Sequence, residues 1–274
     1  MVTRVSYKTG RKLKNALFVS ILSLMTSLAV LPLLSLLWSI GVQGVAALVG
    51  LFGAPLSRGA ASAVLASALV QSLITAAASV AIAMPLGVAA AIYSSQYAGL
   101  RAGRTIRFIM DILSGLPSIL SGMVVFVLLS GVSSMLAGVL ALVLYMLPVV
   151  VRMADQVLVA VPVAYIEGSL ALGASRIQTI FAVVLPTAGK NLVTALLFVV
   201  ARMVGETAPL LVILDGGATF QGKAGFQPLP LRLYSALAQG GSVSHQIVYA
   251  EALILLAIIV AVYGLARWVG RSDR

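Results

Sequence analysis

Apolar residues occur in six long runs, separated by shorter polar or glycine-bearing segments. The runs cover about residues 16–40, 69–93, 108–129, 135–151, 188–214 and 247–266. A helix needs about 17–25 mostly apolar residues to cross the hydrocarbon core of a bilayer, and each run is near or above that length. The pattern therefore predicts an all-α polytopic membrane protein with six transmembrane helices.

The composition supports this prediction and excludes most other classes of protein. Hydrophobic residues make up 61% of the 274 residues and charged residues only 9%, whereas a soluble domain has about 25% charged residues. The chain has no cysteine and a single histidine, which excludes disulfides, a thiol nucleophile and cysteine-based metal sites. We therefore expect no metal site, and we expect the lipid bilayer to be the chain's main environment.

The positive charges predict the orientation. With both termini in the cytoplasm, fourteen Lys and Arg residues fall in cytoplasmic segments: five in 1–15, three in 101–107, three in 152–190 and three in the tail 267–274. Only Arg58, Lys223 and Arg232 fall outside. Such an imbalance is typical of the cytoplasmic loops of plasma-membrane proteins. The net charge of +11 therefore indicates topology, and we predict no nucleic-acid partner.

The segments between the runs complete the predicted layout. Residues 41–68 are rich in Gly, Ala and Ser and are expected to form an external loop with one partial amphipathic helix. Gly115 and Pro117 are expected to weaken the third span locally. Asp111 is expected to pair with Arg107, four residues earlier on the same helix.

The segment 152–187 contains signals for two short helices. Pro162 can begin the first, and Gly173 can end it because glycine accepts the left-handed backbone found at helix ends. Ser175 can cap a second piece over 176–184, after which Leu185-Pro186 is expected to turn the chain back to the bilayer. We call residues 162–184 the knob. Geometry alone leaves open whether it is a protruding docking element or an ordinary amphipathic loop.

The fifth run contains charges where lipid disfavours them. In a helix that starts near Ala188, Arg202 lies about 21 Å along the axis, and an arginine there costs about 2.5–3.5 kcal/mol unless it faces water or a partner. Glu206, four residues on, can pair with it. An arginine fork suits phosphate oxygens, so the pair either lines an anion path or is a neutralised pair that packs helices together.

Hydroxyl side chains also follow the spans. Ser114 and Ser118 share one face of the predicted third span, together with Ser121, and could hydrogen-bond a passing anion. Ser72, Thr75 and Ser79 lie along one face of the second span. Small polar residues are also common contacts between membrane helices, so packing remains an alternative for the serines of the third span.

The knob and the residues after it resemble the EAA loop of ABC-type import permeases. That pattern is Glu-Ala-Ala, three residues, Gly, nine residues, Ile, one residue, Leu-Pro; Gly168, Ser169 and Val183 are the departures here. The resemblance implies a type I ABC importer permease fold, with a cytoplasmic coupling helix that docks on an ATP-binding subunit. The residues implied in coupling are Glu167, Gly168, Ser169, Leu172, Gly173, Leu185 and Pro186.

Residues 202–209, Arg-Met-Val-Gly-Glu-Thr-Ala-Pro, resemble the Arg-x-x-Gly-Glu-Thr-Ala-Pro signature of phosphate permeases of the PstA and PstC type. Segments 111–119 and 229–234 resemble their Gly-hydrophobic-Pro-Ser and Leu-Pro-x-x-Ile-Tyr stretches. The resemblance covers about 65–266, which it identifies as a five-helix transmembrane type-1 domain. Residues 16–40, the first transmembrane helix, are generic.

The resemblance implies the transmembrane permease subunit of an ATP-driven phosphate importer, with Arg202, Glu206, Ser114 and Ser118 along the substrate pathway. The chain lacks a Gly-x4-Gly-Lys-Ser/Thr loop, so we expect no enzyme activity and no cofactor in it; ATP and Mg²⁺ belong on a partner ATPase. The further partners implied are an external phosphate-binding protein and a second permease subunit, PstC-like or a second copy.

Three alternatives remain. The first changes the cargo to another oxyanion, such as molybdate or sulfate. The second, an intramembrane protease, requires a Ser-His or paired-Asp arrangement that the lone His245 and the isolated Asp111 do not supply. The third, a self-sufficient channel, leaves the knob without a purpose.

Overall fold

The structure is a computed structural model that describes residues 3–52, 59–97, 99, 101–129, 134–215, 226–238 and 245–271. The described residues contain helices and turns but no strand, which confirms the predicted all-α class. The helices are α1 (Thr3–Phe52), α2 (Gly59–Gln96), α3 (Arg101–Ser114), α4 (Ser118–Leu128), α5 (Ser134–Val159), α6 (Val163–Ala171), α7 (Arg176–Thr179), α8 (Leu185–Val204), α9 (Ala208–Asp215), α10 (Leu229–Ala238) and α11 (His245–Arg271). A π-helical turn, Ile180–Val184, joins α7 to α8.

Five of these segments are long and apolar enough to cross a membrane: Lys14–Gly50, Ala63–Gln96, Ser134–Val159, Arg176–Val204 and Ile247–Arg271. The sixth candidate is the pair α3 and α4, which passes the same test jointly but is bent by 101°. The bend falls at Gly115–Pro117, where the sequence predicts a weak backbone. The predicted weakness is confirmed, and it amounts to a break between two separate helices, α3 and α4.

The packing of the bent pair shows that it runs the length of α5. Near the start of the pair, Arg107 contacts Asp155 in the last turns of α5. Near its end, Val125 packs with Ala137 and Ala141 in the first turns of α5. The two ends of the pair therefore lie beside opposite ends of one transmembrane helix. This placement makes α3 and α4 together the sixth crossing.

Helices α1, α2 and α5 are longer than the hydrophobic runs predict. Most of the expected external loop over 41–68 is helical, because α1 continues to Phe52 and α2 begins at Gly59. The fourth span also continues past 151 to Val159. Residues with high helix propensity, such as alanine, continue past the ends of the most hydrophobic segments. The helices therefore extend beyond the bounds that hydropathy predicts.

Helix α5 lies at the centre of the bundle. It packs against α2, α3, α4, α8 and α9, and its buried residues include Ala141, Met146, Val150 and Ala154. By contrast, α1 is exposed over its apolar length and contacts chiefly α11. The core of the protein therefore sits around α5, while α1 faces lipid on most of its surface.

Candidate translocation path and coupling surface

The fifth span is interrupted next to its charged residues. Helix α8 ends at Val204, residues 205–207 lie outside any helix, and α9 begins at Ala208. Pro209 occupies the first turn of α9, where its missing N–H leaves no helical hydrogen bond unmade. About 12 Å of helix α9 lies beyond the break. The break therefore falls inside the predicted span 188–214, and the expected continuous helix over those residues is wrong.

Arg202 lies in the last turn of α8 and has an aromatic partner. Its Nη2 donates a hydrogen bond of 2.8 Å to the hydroxyl of Tyr145, and its guanidinium carbon lies 5.9 Å from the centre of that ring. Despite this contact, the Arg202 side chain is exposed on the surface of the chain. The sequence analysis missed Tyr145, although the hydroxyl of a tyrosine within an apolar run usually has a hydrogen-bond partner.

Glu206 has a different partner from the one that the sequence predicts. Its half-buried carboxylate lies near the side chain of Ser118, on α4, and is attracted electrostatically by Arg202. The ion pairs among the described residues do not include Arg202 with Glu206. The predicted four-residue pair is wrong because the helix ends between the two residues, so they do not share one helical face.

The predicted serine face is also divided by a helix break. Ser114 ends α3 and accepts a hydrogen bond of 2.9 Å from Arg152. Ser118 begins α4, beyond the 101° bend, and contacts Glu206. The structure therefore brings Ser118 together with Glu206 and Arg202, whereas Ser114 belongs to a separate cluster of charges.

A second hydroxyl lies close to Glu206. Thr75 and Ser72, from α2, line a small cavity together with Glu206. Ser72 Oγ accepts a hydrogen bond of 2.6 Å from the backbone N–H of Leu229. The buried Thr75 hydroxyl has no hydrogen-bond partner among the described residues. The cavity thus brings a free hydroxyl of α2 near a carboxylate that lies within the break.

Gly122 brings α4 against the break. A Cβ at this position would lie 2.3 Å from the carbonyl oxygen of Pro209. No side chain can move to relieve that contact, since the clashing atom belongs to the backbone. The absence of a Cβ at Gly122 therefore allows α4 to place Ser118 beside Glu206.

This contact leads to a prediction for Gly122→Ala. The added methyl group must push α4 away from Pro209, at a cost of about 1–3 kcal/mol for overpacking. We expect a lower thermal unfolding midpoint of the purified protein. Gly264→Ala in α11 is the matched control, because a Cβ there meets nothing within 4 Å. Equal midpoints for both variants and the unmodified chain would contradict the close packing.

Two ion pairs connect α3 to α5. Arg107 Nη2 lies 2.9 Å from Asp155 Oδ1, which also accepts a hydrogen bond of 2.9 Å from Ser94. Arg152 lies 3.4 Å from Asp111. The predicted pairing of Asp111 with Arg107 is therefore wrong: each reaches across to α5 rather than along α3. Sequence reasoning missed these partners because only the packing of α3 on α5 brings them together.

A further pair joins α10 to α11 near the opposite end of the bundle. Arg232 and Glu251 are hydrogen-bonded and form a salt bridge, and Glu251 is 1% exposed. No role was predicted for Glu251. Breaking such a pair leaves an uncompensated buried charge, so the contact holds α10 on α11.

The local features of the knob are confirmed. Pro162 precedes α6, and Gly173 has a φ of +87°, the left-handed conformation expected at that helix end. Ser175 and Gln178 form a reciprocal capping box at the start of α7. Leu172, at the tip between the two helices, is 91% exposed. These features produce a rigid corner that presents an apolar side chain to its surroundings.

The predicted turn at Leu185-Pro186 is absent. Arg176–Val204 is one helical segment, with the π-helical turn Ile180–Val184 immediately before Leu185. A π turn changes the hydrogen-bond register, which accommodates a proline that cannot donate. Leu185 packs against a core cluster with Val184 and Ala188. Leu185 and Pro186 therefore belong to the membrane span, while Glu167, Gly168, Ser169 and Gly173 lie in the knob.

Side-chain contacts attach the knob to the rest of the protein. Ser169 Oγ lies 3.0 Å from Thr179 Oγ1, linking α6 to α7. Arg176 Nη1 donates to the carbonyl oxygen of Gln96 at 3.3 Å and lies over the ring of Tyr97. Because α7 continues into α8 without a break, the knob and Arg202 lie on one continuous helical segment.

The same fold occurs in solved ABC transporters. An inward-facing form of the MetNI methionine ABC transporter is similar at a TM-score of 0.58 and 21% identity, covering 76% of this chain and 93% of that chain. An amino acid ABC transporter with histidines is similar at a TM-score of 0.61 and 17% identity, covering 77% and 94%. The fold of this chain is therefore one that occurs in ABC transporters.

The chain belongs to the family of binding-protein-dependent transport system inner membrane components, whose model matches residues 83–272. A relative named probable phosphate transport system permease protein PstA, from Methanocaldococcus jannaschii, is 30% identical over 98% of both chains. Phosphate transport system permease protein PstA 1 from Mycobacterium tuberculosis is 35% identical over 93% of this chain and 88% of that protein.

Proposed function

We propose that this chain is the transmembrane permease subunit of an ATP-driven phosphate importer, and that Arg202 lines its translocation path. The observation that carries the proposal is the exposure of Arg202 on the surface of a single chain, inside a membrane span. A guanidinium in contact with lipid at that depth is strongly disfavoured. The surface around Arg202 therefore borders a water-filled path, closed on its other side by a second permease subunit.

The polar groups around the break suit an oxyanion that carries a proton. Arg202 offers planar donors for two anion oxygens. Glu206 would repel a fully ionised anion, but it can accept the proton of a hydrogen phosphate or hold the arginine in place. The relatives named as phosphate transport permeases support phosphate as the cargo.

Coupling to ATP hydrolysis is assigned to the knob. Its exposed apolar residues include Val163, Tyr165, Leu172 and Ile177, and a surface patch of this kind marks a protein-interaction site. A separate ATP-binding subunit, with its own ATP and Mg²⁺, would dock here. An external binding protein would deliver the anion to the opposite end of the bundle.

Uptake by whole cells tests the cargo. Cells that express the chain with its partner subunits should accumulate radiolabelled phosphate, and cells lacking only this chain should not. Excess unlabelled phosphate should abolish the signal, whereas excess molybdate or sulfate should leave it unchanged. If molybdate or sulfate competes as well as phosphate does, the cargo assignment is wrong while the permease assignment stands.

The orientation gives a separate prediction. The native chain has no cysteine, so one introduced cysteine is its sole thiol. Leu172→Cys, at a position 91% exposed, should resist a membrane-impermeant thiol reagent applied to intact cells and react after permeabilisation. Leu237→Cys, at a position 73% exposed in α10, is the matched control and should react from outside. The reverse pattern would place the knob outside the cell.

A further inference from the structure

A basic cleft opens between α8 and α11, away from both the break and the knob. It has a volume of about 480 Å³ and is lined by Thr194 and Phe198 of α8 and by Tyr263, Arg267, Gly270 and Arg271 of α11, among others. This volume lies within the range of about 300–1,000 Å³ that is usual for small-molecule sites. Among the described residues, none that lines the cleft is acidic.

The two arginines are positioned to act together. Arg267 and Arg271 are four residues apart, so they lie on one face of α11, about 6 Å apart along its axis. Both side chains are exposed. In the described part of the chain, neither has an ion pair or a side-chain hydrogen bond. Their positive charge is therefore not neutralised by this part of the protein.

The depth of the cleft matches the headgroup layer. Counting about 20 residues for the hydrocarbon core from Ile247, where the span begins, places the boundary near Ala266. Arg267 is the next residue. Trp268, which is 71% exposed, and Tyr263 flank this point as aromatic residues do at membrane interfaces.

The remaining lining is apolar and lies on the hydrocarbon side. The rings of Phe198 and Tyr263 are 5.4 Å apart between centroids, and they form an aromatic wall one to two turns below the arginines. A Cβ on Gly270 would contact Thr194 Cγ2 at 3.4 Å, so the two helices meet closely at the base of the cleft. The cleft thus pairs a cationic rim with an apolar wall.

We infer that this cleft binds an anionic phospholipid, whose phosphate group contacts Arg267 and Arg271 while an acyl chain lies against Phe198 and Tyr263. Arginine forks bind phosphate oxygens through paired hydrogen bonds. Basic pockets between membrane helices are suited to anionic headgroups. A soluble phosphate ion would use only the rim, whereas a lipid uses the aromatic wall as well.

Quenching of a single tryptophan by brominated lipids tests the inference. In the reporter chain, Trp38 and Trp268, the two native tryptophans, are replaced by phenylalanine and Tyr263 is replaced by tryptophan. The full chain is reconstituted in phosphatidylcholine vesicles with increasing brominated phosphatidylglycerol or brominated phosphatidylcholine. Each guanidinium near an anionic surface is expected to raise the affinity for an anionic lipid about fivefold. Half-maximal quenching should therefore need at least about fivefold less brominated phosphatidylglycerol than brominated phosphatidylcholine.

The variants separate a site from a general surface charge. Arg267→Gln with Arg271→Gln should remove the preference for brominated phosphatidylglycerol. The matched control, Arg101→Gln with Arg104→Gln, removes two exposed arginines of α3 and should retain it. Millimolar inorganic phosphate should not restore the fluorescence.

Three results would overturn the inference. Equal quenching of the reporter chain by the two brominated lipids would show that the cleft has no preference for an anionic headgroup. If both double substitutions lower the preference for the anionic lipid equally, the preference comes from net surface charge and not from the cleft. Recovery of fluorescence on addition of inorganic phosphate would make the cleft a site for the soluble ion. None of these results bears on the cargo or on the docking of the ATPase.

Discussion

Replacing Arg202 by glutamine is expected to abolish ATP-dependent phosphate uptake while the complex still assembles. The substitution removes the cation of the path but keeps a side chain that can hydrogen-bond Tyr145. Arg202→Lys should lower uptake by about tenfold, equivalent to about 1.4 kcal/mol, since it keeps the charge and loses the planar pair of donors. The measurement is radiolabelled phosphate uptake alongside the amount of assembled complex for each variant.

Tyr145→Phe is the matched control, because it removes the hydroxyl that accepts from Arg202 and leaves the guanidinium in place. Uptake should be largely retained in this variant if the arginine serves the anion. A packing role predicts instead that Tyr145→Phe and Arg202→Gln reduce the assembled complex to a similar extent. In that case the double change Arg202→Gln with Glu206→Gln, which removes both charges, should restore assembly and uptake. That outcome would contradict the pathway.

Gly173→Val is expected to lower both phosphate uptake and the ATP hydrolysis that drives it. The φ of Gly173 is +87°, a conformation that costs an ordinary residue about 1–2 kcal/mol and a β-branched residue more. The cost falls on the corner between α6 and α7, so the knob should distort while the spans remain folded. In the reconstituted complex, phosphate uptake and binding-protein-stimulated ATP hydrolysis should both fall by at least about tenfold.

The control for this substitution is Gly189→Val in α8. A Cβ at Gly189 meets nothing within 4 Å, and the residue lies outside the knob, so the same side chain should leave coupling intact. Both proteins should insert in similar amounts. If Gly173→Val hydrolyses ATP and transports phosphate at the rate of the unmodified complex, the knob does not transmit the ATPase cycle.

Features set by neighbours along the chain could be predicted from the sequence. The corner at Gly173 and the cap at Ser175 depend on residues within one or two turns, so local backbone preferences were sufficient to place them. The six spans follow from hydropathy, because lipid contact is a property of each run by itself. The family resemblance also depends on local spacing, and it located both the knob and the charged span.

Features set by packing between helices could not be predicted in this way. The separation of Arg202 from Glu206 follows from an interruption at Gly205–Thr207, which a helical wheel over 188–214 does not reveal. Ser118 reaches Glu206 only because Gly122 lets α4 approach Pro209. Asp155 and Tyr145 gain their partners across the bundle, at separations of 48 and 57 residues. Sequence spacing along one helix contains no information on such contacts.

ATP-driven accumulation of phosphate in sealed vesicles is the decisive test of the proposal that this chain is a subunit of a phosphate importer with Arg202 on its path. The chain is reconstituted with its partner permease, the ATP-binding subunit and the phosphate-binding protein, and radiolabelled phosphate is followed on the side opposite to the binding protein. We expect phosphate to accumulate against its gradient. This accumulation should require ATP and the binding protein, and Arg202→Gln should abolish it. Accumulation of molybdate or sulfate in place of phosphate, or phosphate movement that is independent of ATP, would contradict it.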